Sequence, residues 1–239
     1  MSVKKALISV SDKTGLEPLA ETLSSLDIEI ISTGGTASFL EEHNISHIPI
    51  SSVTGFPEML NGRVKTLHPR IHAGILAQRT KTDHMQTLQE HEISPVDMVI
   101  CNLYPFENTI KKPDVSLSEV IENIDIGGPT LIRSAAKNYK DVIIVTSPKQ
   151  YDLVAKQLQE NHDLPLEDRE HLALDAFTHT AQYDSIISQY LRSRWTDEVL
   201  PEDNTIALRK KQDMRYGENP HLQGGFYQQL PEVTEPCIT

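Results

Sequence analysis

Between Met59 and Thr82 the chain carries no carboxylate, yet it places Arg63, Lys65, Arg70, Arg79 and Lys81 there, with His68 and His72 among them. On a protein of formal charge −12, such a concentration of cations is a place where a small anion can bind. It is too short and too isolated for a nucleic-acid footprint, which needs a basic face or domain. The same run also reads as a solvated basic loop, and Gly62, Thr66, Pro69 and Gly74 give it the composition of a tightly shaped one. His68 and His72 are four residues apart, but Pro69 interrupts a helical face between them and no Glu follows His68. Hydrogen-bonding roles are therefore expected for both, and no metal site.

Two other stretches could meet the same anion. Ser11-Asp12-Lys13-Thr14-Gly15 and Ser32-Thr33-Gly34-Gly35-Thr36 each follow an apolar run and lead into a helical pattern. Such turns bind phosphate for a physical reason: unpaired N–H groups point out of a helix start, the dipole is positive there, and glycine lets an oxyanion approach the backbone. Neither has the spacing of a P-loop or a dinucleotide fingerprint, so Gly34-Gly35 also reads as a tight turn needing positive φ. Lys13 and Thr14 add a cation and a hydroxyl at the same edge.

Further along, Cys101-Asn102-Leu103-Tyr104-Pro105 closes a buried run, and Tyr104, fixed in an extended backbone before proline, suits a packed aromatic or an aimed phenol. Asp125-Ile126-Gly127-Gly128-Pro129 opens a helix on which Arg133 and Lys137 share a face. An acid, two glycines and two bases there serve catalysis or form an exposed ion-pair face. A continuous helix puts Lys137 on the order of 15 Å from Gly127, so Asp125 and Lys137 meet only if the chain bends or the helix crosses the pocket.

The elements that must position these residues alternate along the chain. Ala6–Val10, Ile28–Ile31, Val96–Cys101 and Asp141–Thr146 are continuous apolar runs, as in strands buried on both faces. His47–Ile50 is expected as an edge strand because Pro49 cannot donate to a ladder, and Ala73–Ala77 as another strand. Helices are expected at Leu16–Leu26, at Ala37–His43 with Thr36 as N-cap, at Thr82–His91, at Val115–Ile124, after Gly127, and after Ser147-Pro148. From Leu166 to about Arg194 there is neither Gly nor Pro, and Ala173, Ala176, Phe177, Thr180, Ile187, Tyr190 and Leu191 fall on one stripe. The alternation is that of an α/β protein with a mostly parallel sheet, whose ligands bind at the carboxyl ends of the strands.

Composition bounds the rest. Hydrophobic residues at 38% with 23% charged describe a globular chain, and the acid excess argues against general binding to nucleic acid or anionic membrane. Cys101 and Cys237 are too far apart in sequence for a metal-type pair and suit a reducing cytoplasm; Cys101 reads as a small core residue. The apolar run after Met1-Ser2-Val3-Lys4-Lys5 is too short for a signal peptide, and no run is long enough to span a membrane.

Eight motifs occur in a recognisable order: Ser9-Val10-Ser11-Asp12-Lys13-Thr14-Gly15, Thr33-Gly34-Gly35-Thr36-Ala37, Gly55-Phe56-Pro57-Glu58-Met59-Leu60, Gly62-Arg63-Val64-Lys65-Thr66-Leu67-His68-Pro69, Cys101-Asn102-Leu103-Tyr104-Pro105-Phe106, Ile124-Asp125-Ile126-Gly127-Gly128, Ala135-Ala136-Lys137-Asn138 and Ala176-Phe177-Thr178-His179-Thr180-Ala181-Gln182-Tyr183-Asp184. Together they resemble the bifunctional purine-biosynthesis family that joins phosphoribosylaminoimidazolecarboxamide formyltransferase to inosine monophosphate (IMP) cyclohydrolase. The resemblance implies a methylglyoxal-synthase-like three-layer α/β fold with a C-terminal helical extension. It also implies closure of the pyrimidine ring of a formylated aminoimidazole carboxamide ribonucleotide, without metal or cofactor, in a cytoplasmic homodimer.

By that resemblance Lys137, assisted by Asp125, transfers protons, while Lys65 and Tyr104 orient and polarise the formyl group. Ser11, Asp12, Lys13, Thr14, Thr33, Gly34, Gly35, Thr36, Arg63, Val64, Thr66, Cys101, Asn102, Ile126 and Gly127 hold the nucleotide, and Lys65 and Lys137 are expected in one cleft. The implied organisation is a nucleotide-binding domain at 1–146, a helical extension at 147–195, a linker at 196–212 and the start of a formyltransferase domain at 213–239. Formyl tetrahydrofolate belongs to that second domain, so cyclohydrolase without transferase is expected here. The rival classes on the same fold are a non-catalytic nucleotide sensor, which needs only the phosphate turns, and a phosphate-eliminating lyase.

Overall fold

A computed structural model describes residues 2–198, 200–217, 219 and 221–231. The chain forms two compact units, one running to Pro105 and resuming over Asp125–Thr178, the other made of Phe106–Ile124 and the residues from His179 onward.

The first unit opens with β1 (Lys5–Ser9), whose Ala6, Leu7 and Ile8 have no solvent exposure. Gly15, at φ 68, turns the chain into α1 (Leu16–Ser25), where Pro18 lies in the first turn and its missing N–H leaves no bond unmade. Next come β2 (Glu29–Ser32), α2 (Gly34–Glu42), β3 (Ile48–Pro49), α3 (Ile50–Thr54), α4 (Pro69–Leu76), α5 (Thr82–Glu90) and β4 (Met98–Cys101). After α6 (Phe106–Ile110) and α7 (Leu117–Glu122) in the second unit, the first resumes with α8 (Gly127–Lys137), β5 (Ile143–Val145) and α9 (Tyr151–Asn161). Then α10 (Leu166–Trp195) runs 30 residues, belonging to the first unit as far as Thr178 and to the second from His179.

The strands form one parallel sheet in the order β3-β2-β1-β4-β5, with Leu7 opposite both Ile31 and Val99, and Val99 opposite Ile144. From β1 the chain crosses to β2 on one side, and from β4 to β5 on the other. Right-handed crossovers then place α1 and α8 on opposite faces, giving three layers in which α1 pairs with α9 and α4 with α8. The direction reverses between β1 and β4. That is the topological switch point, where an open sheet leaves a crevice at its carboxyl edge.

The opposite edge is locked. Asp97 Oδ2 accepts the N–H groups of Lys4 and Lys5, both at 2.8 Å, while Asp97 Oδ1 pairs with the Arg79 guanidinium. Arg79 also donates through Nη2 to the Val96 carbonyl (2.8 Å) and through its backbone N–H to Asp141 Oδ2 (3.1 Å). Arg79 is thus a structural cation at the amino edge, away from the anion-binding loops that its place in the basic run implied.

Two local expectations are corrected. Ala73–Ala77 is not a strand but lies at the end of α4, because Pro69 opens that helix instead of breaking it: His68 is the N-cap and its Nδ1 accepts the Arg70 N–H at 3.2 Å. Thr36 is not the N-cap of α2, which starts at Gly34 behind Thr33. The Thr36 hydroxyl instead bonds the Val10 backbone, N–H and carbonyl both at 3.0 Å, and so ties α2 to the end of β1.

In the second unit Phe106 packs edge-on against Tyr183 and Tyr190, and the Tyr183 hydroxyl donates to the Asn123 carbonyl at 3.4 Å. On α10 the buried positions include Ala173, Ala176, Thr180, Tyr183 and Ile186, whereas Phe177 is exposed with the Arg133 guanidinium 5.6 Å from its ring centre. Strands β6 (Ala207–Met214) and β7 (Gly224–Leu230) form an antiparallel hairpin, so strand structure begins inside the stretch expected as linker. Cys237 lies outside the described residues. Among the described residues no helix is long and apolar enough to cross a membrane.

Candidate functional site

The loops leaving β1, β2 and β4 are fastened to one another at the switch point. Asn102, just past β4, accepts the N–H groups of Ser11 (2.7 Å) and Asp12 (2.9 Å) on its Oδ1 and donates from Nδ2 to the Asp12 carbonyl (2.9 Å). The loop after β1 therefore has its shape dictated by the end of β4. Asp12 folds back onto Thr14, and the hydrogen bonds from Thr14 hold its carboxyl below the usual carboxylate range. With that acid occupied, Lys13 projects over the neighbouring turn: a Cβ added to Gly35 would stand 3.8 Å from Lys13 Nζ.

Lys65 arrives at the same turn from the other side. A Cβ on Gly34 would lie 3.1 Å from Lys65 Nζ, and Gly34 has φ +54, so glycine is required there for both space and backbone. Two ammonium groups thus flank the N-terminus of α2, whose leading N–H groups are free of helical partners. Like charges so placed favour an anion between them. A carboxylate meets Lys65 there: Glu58 sets Oε2 3.3 Å from Lys65 Nζ and accepts the Thr33 hydroxyl on Oε1 at 3.4 Å. Arg63 is exposed beside this group, and Val64 forms a bridge with Met59 that closes the loop.

The next residue, Thr66, is buried, and its hydroxyl would be 3.0 Å from a Cβ on Gly127, so glycine at the start of α8 admits it. His72 Nδ1 is 3.2 Å from Ser134 Oγ on α8, and the ring also meets the Thr66 backbone. Burial lowers the pKa of that imidazole, which keeps it neutral at neutral pH and fastens the Lys65-Thr66 segment to α8. Asp125 sits at the head of the same helix. Its carboxylate faces the N–H groups of Gly128 (2.8 Å), Tyr104 and Gly127. A Cβ on Gly128 would come within 2.5 Å of Asp125 Oδ2 and 2.7 Å of Leu103, so only glycine leaves the acid its place. Burial raises the pKa of Asp125 against those three donors, the direction that prepares a carboxyl for proton exchange near neutrality.

Cys101 is buried with Sγ 3.9 Å from the Gly128 carbonyl, and burial pushes its thiol far up, so it packs and is no nucleophile. Tyr104 is half exposed and Ile126 60% exposed, both beside Asp125 in sequence or contact. Contacts thus join the loops of Ser11–Thr14, Thr33–Thr36, Lys65-Thr66, Asn102–Tyr104 and Asp125–Gly127 into one carboxyl-edge site. Lys137 is the last residue of α8, which is unbroken, so it is exposed about 15 Å along the axis from Gly127 and meets Asp125 only where that helix lies across the pocket. The lysines at the Gly34-Gly35 turn are Lys13 and Lys65. Glu58 was inside a quoted motif but not among the expected site residues; its signal was its position as the last acid before the carboxylate-free run. Among the described residues no cluster of His, Cys, Asp or Glu could hold a metal.

The raised Asp125 pKa has a measurable consequence. A group protonated more readily in the folded state supports folding below its unfolded pKa, and that support is lost as pH rises through the folded value. Asp125→Asn carries no such penalty. Its melting temperature relative to the parent should therefore become more favourable to the variant from pH 4 to pH 8, and a difference that is flat over this range would contradict the burial.

Two family models cover nearly the whole chain: the MGS-like domain matches residues 15–130, and the AICARFT/IMPCHase bienzyme matches residues 135–238. The chain is 53% identical to the bifunctional purine biosynthesis protein PurH of Acetivibrio thermocellus, over 99% of its own length and 46% of that protein. With PurH of Bacillus subtilis it shares 50% identity over 95% of its length and 44% of the relative. The chain belongs to the AICARFT/IMPCHase bienzyme family. It spans less than half the length of these curated relatives. Among solved structures, that of ForH matches with a TM-score of 0.73 and 33% identity, over 81% of this chain and 99% of that one.

Proposed function

We propose that this chain is an IMP cyclohydrolase, closing the pyrimidine ring of formylated aminoimidazole carboxamide ribonucleotide to give inosine monophosphate and water. The observation that carries the reading is the joining of Lys13, Lys65 and the start of α2 to a half-buried Asp125 through Thr66 and Gly127. Nucleophile and electrophile belong to one molecule, so much of the acceleration comes from holding the carboxamide nitrogen against the formyl carbon. The turns Ser11–Thr14 and Thr33–Thr36 bind the phosphate and ribose end. Lys65 and Tyr104 address the formyl oxygen, which gains negative charge as the ring closes. Asp125 exchanges the proton of the amide nitrogen.

Lys137 is carried in the proposal by the resemblance alone. Lys137→Ala at the parent rate removes it from the reaction, whereas a loss of kcat with substrate affinity retained keeps it there. A nucleotide sensor would need the phosphate turns but not a half-buried carboxyl ringed by three N–H groups, which is why an enzyme is favoured.

The reaction is a dehydration within one substrate. We assign it no folate and no metal, and we place the protein in the cytoplasm as a homodimer. Mixing the purified 239-residue chain with formylated ribonucleotide and following inosine monophosphate by absorbance tests the reading. Turnover in the presence of chelator is the expected result, and a chain that binds the nucleotide without forming product would return it to the sensor class.

A further inference from the structure

Glu58 stands where an anionic ligand would stand. It accepts from the Thr33 hydroxyl that leads into α2 and pairs with Lys65, the cation over Gly34. The segment that carries it is weakly anchored. Phe56, Met59 and Leu60 are all exposed, and Gly55, Leu60 and Gly62 take positive φ, so little apolar burial opposes its displacement. The Met59–Val64 bridge closes the segment on itself, while the next residues are fixed by buried Thr66 and its neighbour Gly127. The partly exposed Glu58 side chain can therefore swing away while the Met59–Val64 bridge holds the backbone beside both residues.

We propose that Glu58 is a built-in competitor: in the free protein its carboxylate fills the anion subsite at Thr33 and Gly34 and holds Lys65 to itself, and the ligand's phosphate must displace it, which releases Lys65 to the formyl oxygen. The inference rests on the nucleotide reading above and adds a selectivity device to it. A phosphate brings more charge and more acceptor oxygens than one carboxylate and wins the exchange; a monoanionic carboxylate ligand gains nothing by it. The subsite thereby rejects weak anions. The segment also supplies Lys65 with a counter-charge while the site is empty.

The test is calorimetric titration of the full chain and of Glu58→Gln with inosine monophosphate, inosine and inorganic phosphate at low ionic strength. Gln keeps the shape and an acceptor for Thr33 but loses the charge. Because the pair is half exposed, removing the competitor should tighten inosine monophosphate and inorganic phosphate by about 3- to 10-fold and leave inosine unmoved. Glu58→Ala should show the same direction. Unchanged or weaker binding of both phosphorylated ligands overturns the proposal, since Glu58 would then be holding Lys65 in place for the ligand. Tightening equal for inosine overturns it too, because the effect would not concern the phosphate. If the phosphate affinities shift as stated while neither protein turns over the formylated ribonucleotide, the competitor stands and the cyclohydrolase reading falls.

Discussion

Lys65→Met lowers kcat/KM for the formylated ribonucleotide on the order of 10²–10³-fold, most of it in kcat, and leaves the melting temperature almost where it was. The kinetic part follows from what Lys65 is placed to do. As the amide nitrogen adds to the formyl carbon, charge builds on an oxygen that a fixed cation can meet without reorganising. Removing one such donor from an active site costs about 3–4 kcal/mol of transition-state stabilisation. Met preserves the length of the side chain, so the loop keeps its packing. The thermal part follows from the charge that Lys65 pairs with among the described residues, Glu58, at 3.3 Å and with both side chains partly exposed. Pairs of that kind contribute about 0–1 kcal/mol. Lys13→Met, at the other side of the Gly34-Gly35 turn, should raise KM more than it lowers kcat, because it faces the phosphate end. A Lys65→Met enzyme with the parent kcat would take Lys65 out of the chemistry and leave it an anchor for the nucleotide. Rapid-quench measurement of the single-turnover rate separates these outcomes from slow product release.

Much of this site was open to inspection in the amino-acid chain because strand-end loops advertise themselves. A run such as Ala6–Val10 followed by Ser11-Asp12-Lys13-Thr14-Gly15 can only be a buried strand giving way to a polar turn, and parallel sheets send all such turns to one edge. That Ser11, Thr33 and Asn102 would be neighbours follows from this rule alone, whereas Asp125, between α7 and α8, stands at no strand end. What could not be read were the contacts across loops. The Asn102 clamp on Ser11 and Asp12 joins residues about ninety positions apart, and no periodicity encodes it. Glu58 was hidden for a different reason: it is a lone acid ahead of the basic run, and only the fold brings it onto Lys65. Lys137 was left open by its spacing: α8 runs unbroken from Gly127 to Lys137, so Asp125 and Lys137 meet only if that helix lies across the pocket, which is a tertiary matter.

In the fold, apolar periodicity was ambiguous where proline stands at a helix start. Ile71, Gly74 and Ile75 are buried at the period of a helix, yet Ala73–Ala77 by itself is short, apolar and glycine-bearing, as a strand can be. The deciding feature is Gly74, where a Cβ would meet the Ser94 carbonyl at 2.8 Å: α4 lies flush against the chain that enters β4. Such close approach is a tertiary fact. The displacement of α2's start to Gly34 is similar, since the Thr36 hydroxyl is drawn off to Val10 and the N-cap position falls to Thr33, whose side chain makes no capping bond.

The basic run holds a cation, Arg79, that serves the fold and not the site, and leaving it without its carboxylate partner Asp97 should have the largest effect on stability. Asp97→Ala is expected to destabilise the protein by about 3–5 kcal/mol, the scale seen when one partner of a buried pair is lost. The carboxylate is mostly buried and serves three groups at once: the Arg79 guanidinium and the N–H groups of Lys4 and Lys5. Without it the guanidinium keeps only its carbonyl bond to Val96, and two backbone donors at the start of β1 lose their acceptor. For a chain of this size the loss corresponds to a fall in melting temperature of roughly 10 °C. Arg79→Met in the same background should recover part of it, because the uncompensated charge leaves with the side chain, and that recovery distinguishes a broken pair from a simple cavity. Below the transition the kcat of Asp97→Ala should equal the parent's, since Asp97 is at the amino edge of the sheet and Lys65, Tyr104 and Asp125 are at the carboxyl edge. A fall in kcat at a temperature where the variant is fully folded would mean that the two edges are coupled through β1 and β4, and that Arg79 serves the site after all.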